Sequence, residues 1–278
     1  MKKVLIAGAT GAMGQQAIAL VNSLPEFEVT AALAPRLTPA NQGQYQLLPN
    51  VKVFNRLTDI PAGIADIWID FTLPTVVYQN VKFALENRFV PIVGTTGLTS
   101  EQETELVALS KQLGIGGLIA PNFGMSAVLL MKFAQEAAKY FPDVEIIEMH
   151  HGDKKDAPSG TALATAKLID QVRPAHETNP DETESLAGAR GGDYHGIKIH
   201  AVRLPGYIAH EQVLFGGNGE ALTIRQDSFE RHSFMNGVKV ALEKADQLYA
   251  ADSKEAYATF SSSILRFPET VRSHRTPS

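Results

Sequence analysis

Residues 3–14 read Lys-Val-Leu-Ile-Ala-Gly-Ala-Thr-Gly-Ala-Met-Gly, and this stretch predicts the fold of the first half of the chain. A short apolar run that ends in glycine is typical of a buried parallel strand. Apolar residues at helical spacing follow from Met13 to Leu24, and a β-rich segment runs from Phe27 to Leu33. The three segments make a strand–helix–strand unit of about thirty residues.

The same alternation continues to about residue 120. Further apolar runs lie at 51–54, 66–71, 90–93 and 117–120, and helical patterns lie at 75–87 and 100–112. Strands that alternate with helices in this way form a parallel sheet with helices on both faces. We therefore expect an α/β fold with a Rossmann-like, doubly wound parallel sheet.

The pattern changes after Asn122, where a second, α+β domain is predicted. Its expected elements are a helix over 126–140, a strand over 144–149, a helix over 159–172, an exposed loop over 173–194 and a β meander over 196–227. A meander makes an open mixed sheet with one face suited to another subunit. A final helix over 233–250 is expected to return to the first domain, and the tail 251–278 is irregular. The predicted division is 1–124 with 231–278 for the dinucleotide-binding domain, and 125–230 for the domain of substrate binding and tetramerisation.

Composition excludes several classes of function. The 278 residues include no cysteine, which removes disulfides, thiolate metal sites and cysteine nucleophiles. The formal net charge of −5 argues against a nucleic-acid partner, because phosphate binding normally needs a basic face. No segment has the roughly 18 apolar residues of a membrane span, and the N-terminus lacks the apolar run of a secretory signal. We expect a cytoplasmic protein without a membrane partner.

The glycines at Gly8, Gly11 and Gly14 follow the first predicted strand directly. Such a triplet turns the chain tightly, lets backbone approach a pyrophosphate and places the phosphate at a helix N-terminus. By itself the triplet fits an ordinary strand–helix turn equally well. Its position after the first strand favours nucleotide binding.

The end of the second predicted strand indicates which nucleotide binds. NAD-binding folds place a carboxylate there for the ribose 2′-hydroxyl, but this chain has Ala34-Pro35-Arg36. Arg36 could contact a 2′-phosphate, or it could be an arginine in a solvated loop. We predict that NADPH is preferred, with NADH possible.

Residues 148–162 read Glu-Met-His-His-Gly-Asp-Lys-Lys-Asp-Ala-Pro-Ser-Gly-Thr-Ala and combine proton donors with an anion-binding helix start. Ser159 is a good N-cap, and the N–H groups of Gly160 and Thr161 would point at a carboxylate. Neighbouring side chains on a strand face opposite sides, so His150 and His151 can share a cavity only if the strand ends there. The alternative is an ordinary capped helix beside two unremarkable histidines. Adjacent histidines rarely chelate one ion and no third ligand is suitably spaced, so no metal site is expected.

This segment resembles the signature of the 4-hydroxy-tetrahydrodipicolinate reductase (dihydrodipicolinate reductase) family, E-x-H-H-x-x-K-x-D-A-P-S-G-T-A. Three other stretches agree in order along the chain: Gly8–Gly14, Asp70-Phe-Thr72 with Gly94-Thr-Thr-Gly97, and Ala120-Pro-Asn-Phe123. The resemblance covers about residues 1–250. The family ends differently from residues 251–278, and its better-studied members have an acidic residue where this chain has Ala34-Pro35.

The resemblance implies a reductase that uses a nicotinamide cofactor on a small dicarboxylate substrate, as a homotetramer. It assigns proton donation to His150 and Lys154, and binding of the substrate carboxylates to His151, Gly160 and Thr161. It assigns the cofactor to Gly8, Ala9, Thr10, Gly11, Ala12, Met13, Gly14, Gly94, Thr95, Thr96, Ala120, Pro121, Asn122 and Phe123.

The implied chemistry is hydride transfer to a cyclic conjugated imine, after which the enamine needs a proton. A positioned general acid suits that step, and His150 is the residue we expect to supply it. An aldehyde dehydrogenase of the aspartate-semialdehyde type is excluded because it needs a cysteine. A non-catalytic NAD(P)-binding regulatory protein stays as the alternative, although it would have no need of His-His-x-x-Lys. Hinges for domain closure are expected near residues 123–126 and 228–235.

Overall fold

A computed structural model describes residues 1–120, 122–175, 181, 183–249 and 257–258. Strands and helices alternate along the first of these ranges. In chain order they are β1 (Lys2–Ala7), α1 (Ala12–Ser23), β2 (Phe27–Leu33), β3 (Lys52–Phe54), β4 (Ile67–Asp70), α2 (Val77–Glu86), β5 (Val90–Val93), α3 (Ser100–Leu113) and β6 (Gly117–Ile119). Short 3-10 helices at Gln42–Tyr45 and Leu57–Asp59 lie in the connections.

The second half of the chain contains further helices and the antiparallel strands. It continues with α4 (Met125–Ala137), β7 (Asp143–His150), α5 (Gly160–Asp170), β8 (Gly192–Tyr194), β9 (Ile197–Arg203), β10 (Ala209–Gly217) and β11 (Glu220–Ser228). A 3-10 helix at Arg231–Phe234, then α6 (Met235–Glu243), α7 (Ala245–Tyr249) and β12 (Tyr257–Ala258), complete the described elements.

The first sheet has the strand order β12-β6-β5-β4-β1-β2-β3, and all its neighbouring strands are parallel. This confirms the predicted doubly wound sheet. β1 lies between β2 and β4, so the connections that leave β1 and β4 diverge at that point. In open α/β sheets the crevice at such a reversal, at the carboxyl ends of the strands, is where ligands bind.

The side chains of β1 are buried on both faces of this sheet. Val4 and Ile6 pack in one cluster with α1 and α6, while Leu5 and Ala7 pack in another with Trp68 and α2. All four β1 residues have no exposed surface. Burial on both faces is the reason why β1 is a continuous apolar run and not an alternating one.

The second sheet has the order β11-β10-β7-β9-β8, with β7 parallel to β9 and the other pairs antiparallel. The predicted open mixed sheet is confirmed, but the predicted meander over 196–227 is wrong in its connectivity. β9 and β10 do not pair with each other because β7 lies between them. β10 and β11, which turn at Asn218 and Gly219, do pair as consecutive antiparallel strands, and so do β8 and β9.

Helices α4 and α5 cover one face of the second sheet. Val144 and Ile146 of β7 and Val213 of β10 point towards them and join the main hydrophobic cluster, which continues through Phe123 into the first sheet. Along β7 the intervening residues face the other way. No helix in the described ranges covers that opposite face, where Glu145 lies half-buried.

The predicted final helix over 233–250 is divided in the structure. A 3-10 turn precedes α6, and the chain changes direction at Lys244 before α7 begins. The helices do return to the first sheet, where Met235, Val238 and Leu242 enter its core. No helix in the described part of the chain is both long and apolar enough to span a membrane.

The C-terminal tail was expected to be irregular over 251–278. For Tyr257–Ala258 that expectation is wrong, because these two residues form β12 beside β6. The rest of the tail lies outside the described residues.

Candidate active site

A cavity of about 300 Å³ lies between the carboxyl ends of the first sheet and the end of β7 in the second. Its wall combines residues that are far apart in the sequence: Met13, Phe71, Gly94, Ala120, Asn122, Phe123, His150, His151, Lys154, Ile208, Ala209, Arg231 and Phe234. Three of the five residues predicted for catalysis and substrate binding are therefore brought together with part of the predicted cofactor surface.

The glycine loop leaves no room for side chains at two of its positions. Gly8 has a φ of +81°, and a Cβ there would lie 2.1 Å from the carbonyl oxygen of Phe71. A Cβ on Gly14 would lie 2.1 Å from the carbonyl oxygen of Gly8. Close contact between α1 and the ends of β1 and β4 therefore requires both glycines.

The N-terminus of α1 is open to an anion. The helix begins at Ala12 with Gly11 as its N-cap, no side chain caps it, and its first turn contains no acidic residue. Gly11 and Ala12 are exposed, whereas Ala9 is fully buried in the core. The structure thus leaves Ala9 no surface for a cofactor. Met13, in the first turn of α1, lines the cavity.

A buried aspartate fixes the two loops that follow β4 and β5. The carboxylate of Asp70 accepts hydrogen bonds from the hydroxyls of Thr72 at 2.6 Å and Thr95 at 2.7 Å, and from Asn80 Nδ2 at 3.0 Å and Trp68 Nε1 at 3.1 Å. Thr72 N also donates to Thr95 Oγ1 at 2.7 Å. Asp70 therefore holds the loop after β4 against the loop after β5.

The three predicted cofactor residues after β5 have different surroundings. Gly94 lines the cavity, and a Cβ on it would lie 2.3 Å from Cε1 of Phe71. The side chain of Thr95 is buried and bound to Asp70, so its hydroxyl serves the loop. Thr96 is exposed and does not line the cavity.

Asn122 connects the first sheet to the start of α5. Its Oδ1 accepts a hydrogen bond from Gly124 N at 2.7 Å, and its Nδ2 donates to Thr161 Oγ1 at 3.2 Å. Ala120 and Phe123 line the cavity beside it. Pro121, also predicted to bind the cofactor, lies outside the described residues.

Glu148 is the residue that orients His150. Its carboxylate has no exposed surface and accepts from His150 Nδ1 at 2.6 Å, from Arg203 Nη1 and Nη2 at 2.7 Å each, and from Ser159 N at 3.0 Å. Burial alone would raise the pKa of Glu148, but the hydrogen bonds from His150 and Arg203 outweigh it and lower the pKa to about 2.

The charge of Glu148 determines the tautomer of His150. An ionised carboxylate can only accept, so the proton between the two residues belongs to His150 Nδ1. The second ring nitrogen, Nε2, is then left for the cavity that His150 lines. This arrangement leaves Nε2 as the atom that exchanges a proton with a ligand.

β7 ends at His150, which meets the condition for both histidines to reach one cavity. His151 follows the strand and lines the cavity with His150 and Lys154. The ammonium of Lys154 is paired with the carboxylate of Asp156 at 2.7 and 2.8 Å. Burial by itself would raise the pKa of Asp156, but Lys154 and the backbone lower it. A ligand anion must therefore compete with Asp156 for Lys154.

The predicted cap of α5 is present. Ser159 Oγ accepts a hydrogen bond from Ala162 N at 3.2 Å, and the helix begins at Gly160. Gly160 is exposed and Thr161 is half-buried, but neither belongs to the cavity wall. The structure thus places these two predicted carboxylate binders beside the cavity and not in it.

Arg36 is exposed in the turn after β2, outside the cavity wall. Its carbonyl oxygen accepts from Asn41 Nδ2 at 2.9 Å, which closes the turn. The glycine loop is bound to the same strand end, because Gly8 N donates to the carbonyl of Leu33 at 2.9 Å. The Arg36 turn therefore adjoins the loop predicted to bind the pyrophosphate.

Several residues of the site were not found by reasoning from the sequence. Glu148 had a signal, since residues two apart on a strand share a face and Glu148 precedes His150 by two. Arg203 had none, because its place opposite His150 depends on the parallel register of β9 with β7. Arg231 and Phe234 reach the wall only because the chain returns there after β11.

In the described ranges, no group of three or more His, Asp and Glu residues could hold a metal ion.

Two family descriptions match the chain in succession. Residues 2–123 match "Dihydrodipicolinate reductase, N-terminus" and residues 126–261 match "Dihydrodipicolinate reductase, C-terminus". The 4-hydroxy-tetrahydrodipicolinate reductase of Lactobacillus helveticus is 70% identical over 247 residues, which cover 89% of this chain and 94% of that protein. The enzyme of the same name from Lactobacillus acidophilus is 69% identical, with the same coverage.

A solved structure shares the architecture. The dipicolinate-bound dihydrodipicolinate reductase from Paenisporosarcina sp. TG-14 is 44% identical and superposes with a TM-score of 0.78. The match covers 90% of this chain and 96% of the other.

Replacing Glu148 with Gln tests the buried charge. We expect a loss of about 3 kcal/mol in the free energy of unfolding at pH 7, because the partly buried Arg203 loses its ionic partner. The folded pKa of about 2 lies below the usual 4.5. The contribution of the charge is therefore complete above pH 4.5 and is lost as the pH falls towards 2.

Urea unfolding at pH 7 and pH 3 measures the difference in the free energy of unfolding between Glu148→Gln and the unaltered protein. The control is Glu145→Gln, which changes the same strand on its half-exposed face and should cost less than about 1 kcal/mol. Equal stability of Glu148→Gln and the unaltered protein at pH 7, or a difference that stays constant down to pH 3, would contradict the role of the charge.

Proposed function

The chain belongs to the dihydrodipicolinate reductase family, and from this premise we propose that it reduces 4-hydroxy-tetrahydrodipicolinate to tetrahydrodipicolinate in the diaminopimelate route to lysine. It is an NAD(P)H-dependent oxidoreductase. The observation that carries the proposal is the position of His150. The ionised Glu148 holds Nδ1 of its ring, and Nε2 is left for a cavity that the carboxyl ends of the parallel sheet also line.

The residues of the first sheet fit a dinucleotide. The glycine loop has space only for backbone at Gly8 and Gly14, and α1 begins without a cap or an acid. These features suit a pyrophosphate, which the N–H groups from Ala12 to Gly14 in the first turn of α1 would bind. Gly94, Ala120, Asn122 and Phe123 form the wall nearer to His150 and would hold the nicotinamide end. The bound cofactor supplies the hydride.

The substrate is a small dicarboxylate, and the relative from Paenisporosarcina was solved with dipicolinate. We assign its carboxylates to His151, Lys154, Gly160 and Thr161. Because Gly160 and Thr161 lie beside the cavity, this assignment requires the start of α5 to approach the ligand. Closure about the expected hinges near 123–126 and 228–235 would provide that movement.

The proton step follows from the geometry around His150. Addition of a hydride to the conjugated imine gives an enamine, and protonation of its carbon completes the reduction. His150 gives the proton from Nε2, while Glu148 keeps its charge and holds Nδ1. The donating ring lies against the carboxylate of Glu148, which holds its orientation throughout the step. We assign Lys154 to anchoring of the substrate or to a second protonation.

The choice of nucleotide depends on the end of β2. Ala34 is buried and Pro35 has no charge, so the carboxylate that would bind a ribose 2′-hydroxyl is missing. The exposed Arg36 adjoins the glycine loop and can take a 2′-phosphate. We therefore propose NADPH as the preferred nucleotide, with NADH also used.

The two halves have separate tasks in this proposal. Residues 1–124 and 231–278 bind the dinucleotide, and residues 125–230 bind the substrate and join the subunits. The face of the second sheet without a helix among the described residues would form the contact in a homotetramer.

A coupled assay tests the activity. Freshly made product of dihydrodipicolinate synthase should cause rapid oxidation of NADPH by the protein, and omission of either the synthase or this protein should abolish it. NADPH binding without any substrate-dependent oxidation would favour the non-catalytic regulatory protein.

His150→Gln should lower kcat by about 10²–10⁴-fold, the usual contribution of a general acid. The KM for NADPH should stay near its original value, because the change leaves the glycine loop intact. His195→Gln, at an exposed position paired with Asp170, is the control. Steady-state kinetics that show an unchanged kcat for His150→Gln would remove this residue from the mechanism.

Arg36→Gln should raise the KM for NADPH by about tenfold, since a charge-assisted hydrogen bond of roughly 1.5 kcal/mol would be lost. The KM for NADH should change little, as NADH has no 2′-phosphate. Arg56→Gln removes an equally exposed charge that is paired with Asp59, and serves as the control. A KM for NADPH tenfold above that for NADH in the unaltered protein would refute the assignment.

A further inference from the structure

A second buried carboxyl group lies beside Glu148. Glu211 of β10 stands directly opposite Glu148 of β7 in the antiparallel ladder, and Gln226 of β11 stands opposite Glu211 on its other side. Side chains opposite one another in such a ladder share a face, with Cβ atoms about 4.5–5.5 Å apart. The three residues therefore form a polar row across the sheet, on the face covered by α4 and α5.

Glu211 is a buried carboxyl group that pairs with no cation among the described residues. It is 1% exposed, and its Oε1 has no hydrogen-bond partner among the described residues. Burial raises its pKa to about 7, the polar side chain of Thr165 opposes this rise, and the negative charge of Glu148 adds to it. Glu211 thus changes its charge near neutral pH, while the pKa of Glu148 is about 2 and keeps that group ionised.

The surroundings of Glu211 identify which charges act on it. β7 contributes Glu148 and, through the hydrogen bond at 2.6 Å, His150. β9 contributes Arg203, which is bound to the same carboxylate.

The other elements around Glu211 contribute uncharged groups: Gln226 from β11, Thr165 from α5 and Ser126 from α4, whose hydroxyl donates to Gln226 Oε1 at 3.1 Å. The first charged residue of α4, Lys132, is six positions further on and so about 9 Å along the helix axis. Glu211 is therefore coupled mainly to the group of Glu148, Arg203 and His150.

We propose that Glu211 is a positioning residue for the reduction, whose negative charge acts through Glu148 to favour the proton-donating form of His150 at alkaline pH. This inference rests on the proposed function, in which His150 is the general acid. Glu211 does not line the cavity, so it would touch neither the substrate nor the cofactor.

The coupling works in both directions. Ionisation of Glu211 places a second negative charge next to Glu148, and this favours a positive charge on the imidazole that Glu148 holds. When His150 gives up its proton, the nearby positive charge disappears and Glu211 binds a proton more readily. Two sites that interact in this way titrate as a pair. The enzyme then keeps a protonated donor over a wider pH range than His150 and Glu148 alone would give.

Glu211→Gln keeps the shape of the protonated side chain and cannot ionise. We expect the alkaline limb of the pH profile of kcat/KM to move to lower pH by about half to one unit. The ratio of variant to unaltered kcat/KM should accordingly fall about threefold to tenfold between pH 6 and pH 8.5. The KM for NADPH should not follow this trend. Glu220→Gln, which neutralises an exposed carboxylate on the same hairpin, should leave the alkaline limb in place.

Thr165→Val provides a second, independent variant, because the polar side chain of Thr165 lowers the pKa of Glu211, although its hydroxyl donates to the carbonyl of Thr161 at 3.0 Å. It should shift the alkaline limb in the same direction by a smaller amount. Superimposed profiles, or a loss of activity by one factor at every pH, would overturn the role of Glu211. If Glu211→Gln does not fold, an unshifted limb in Thr165→Val overturns it. Absence of any reductase activity in the unaltered protein would instead refute the proposed function.

Discussion

The buried carboxylate of Glu148 receives hydrogen bonds from three separate parts of the chain. Arg203 comes from the neighbouring strand, His150 from the end of the same strand and Ser159 N from the turn before α5. An uncompensated charge in this position would be strongly destabilising, so the three donors and the acceptor have to assemble together. The orientation of the imidazole and the position of the α5 cap, which the proposed chemistry uses, follow from this one group.

The nucleotide side of the cavity depends on a comparable constraint. Asp70 binds Thr72 and Thr95 in the loops after β4 and β5, and so fixes the segment that brings Gly94 into the cavity wall. Absence of side chains at Gly8 and Gly14 brings α1 against the same strand ends. In both halves, then, a buried acid fixes backbone segments whose N–H groups or small residues face a ligand. The carboxylates of Asp70 and Glu148 thus lie outside the cavity wall and serve to position the groups around them.

Much of this arrangement could be predicted from the sequence. Six of the seven strands of the first sheet were predicted, because a strand inside a parallel sheet is a short apolar run between helical patterns. The cavity residues His150, His151 and Lys154 were found because proton donors and a helix cap occur within fifteen positions of each other. Such signals are local, and a single sequence contains them.

Features that depend on long-range pairing could not be predicted in the same way. The position of β7 between β9 and β10 depends on a parallel register that no short pattern encodes, and Arg203 was missed for that reason. Likewise, the pairing of Lys154 with Asp156 and the binding of Thr95 to Asp70 are competitions among side chains that spacing alone does not decide. The row of Glu148, Glu211 and Gln226 becomes visible only when three strands are aligned.

We propose that an ionised Glu148 holds His150 as a proton donor with Nε2 towards the ligand. ¹⁵N NMR of the imidazole nitrogens, recorded across neutral pH on protein labelled at histidine and assigned with His150→Gln, measures this directly. We expect that Nδ1 keeps its proton throughout and that any proton lost with rising pH comes from Nε2. A neutral His150 with its proton on Nε2 and a bare Nδ1 would contradict it, because two acceptors would then face each other at the Glu148 carboxylate.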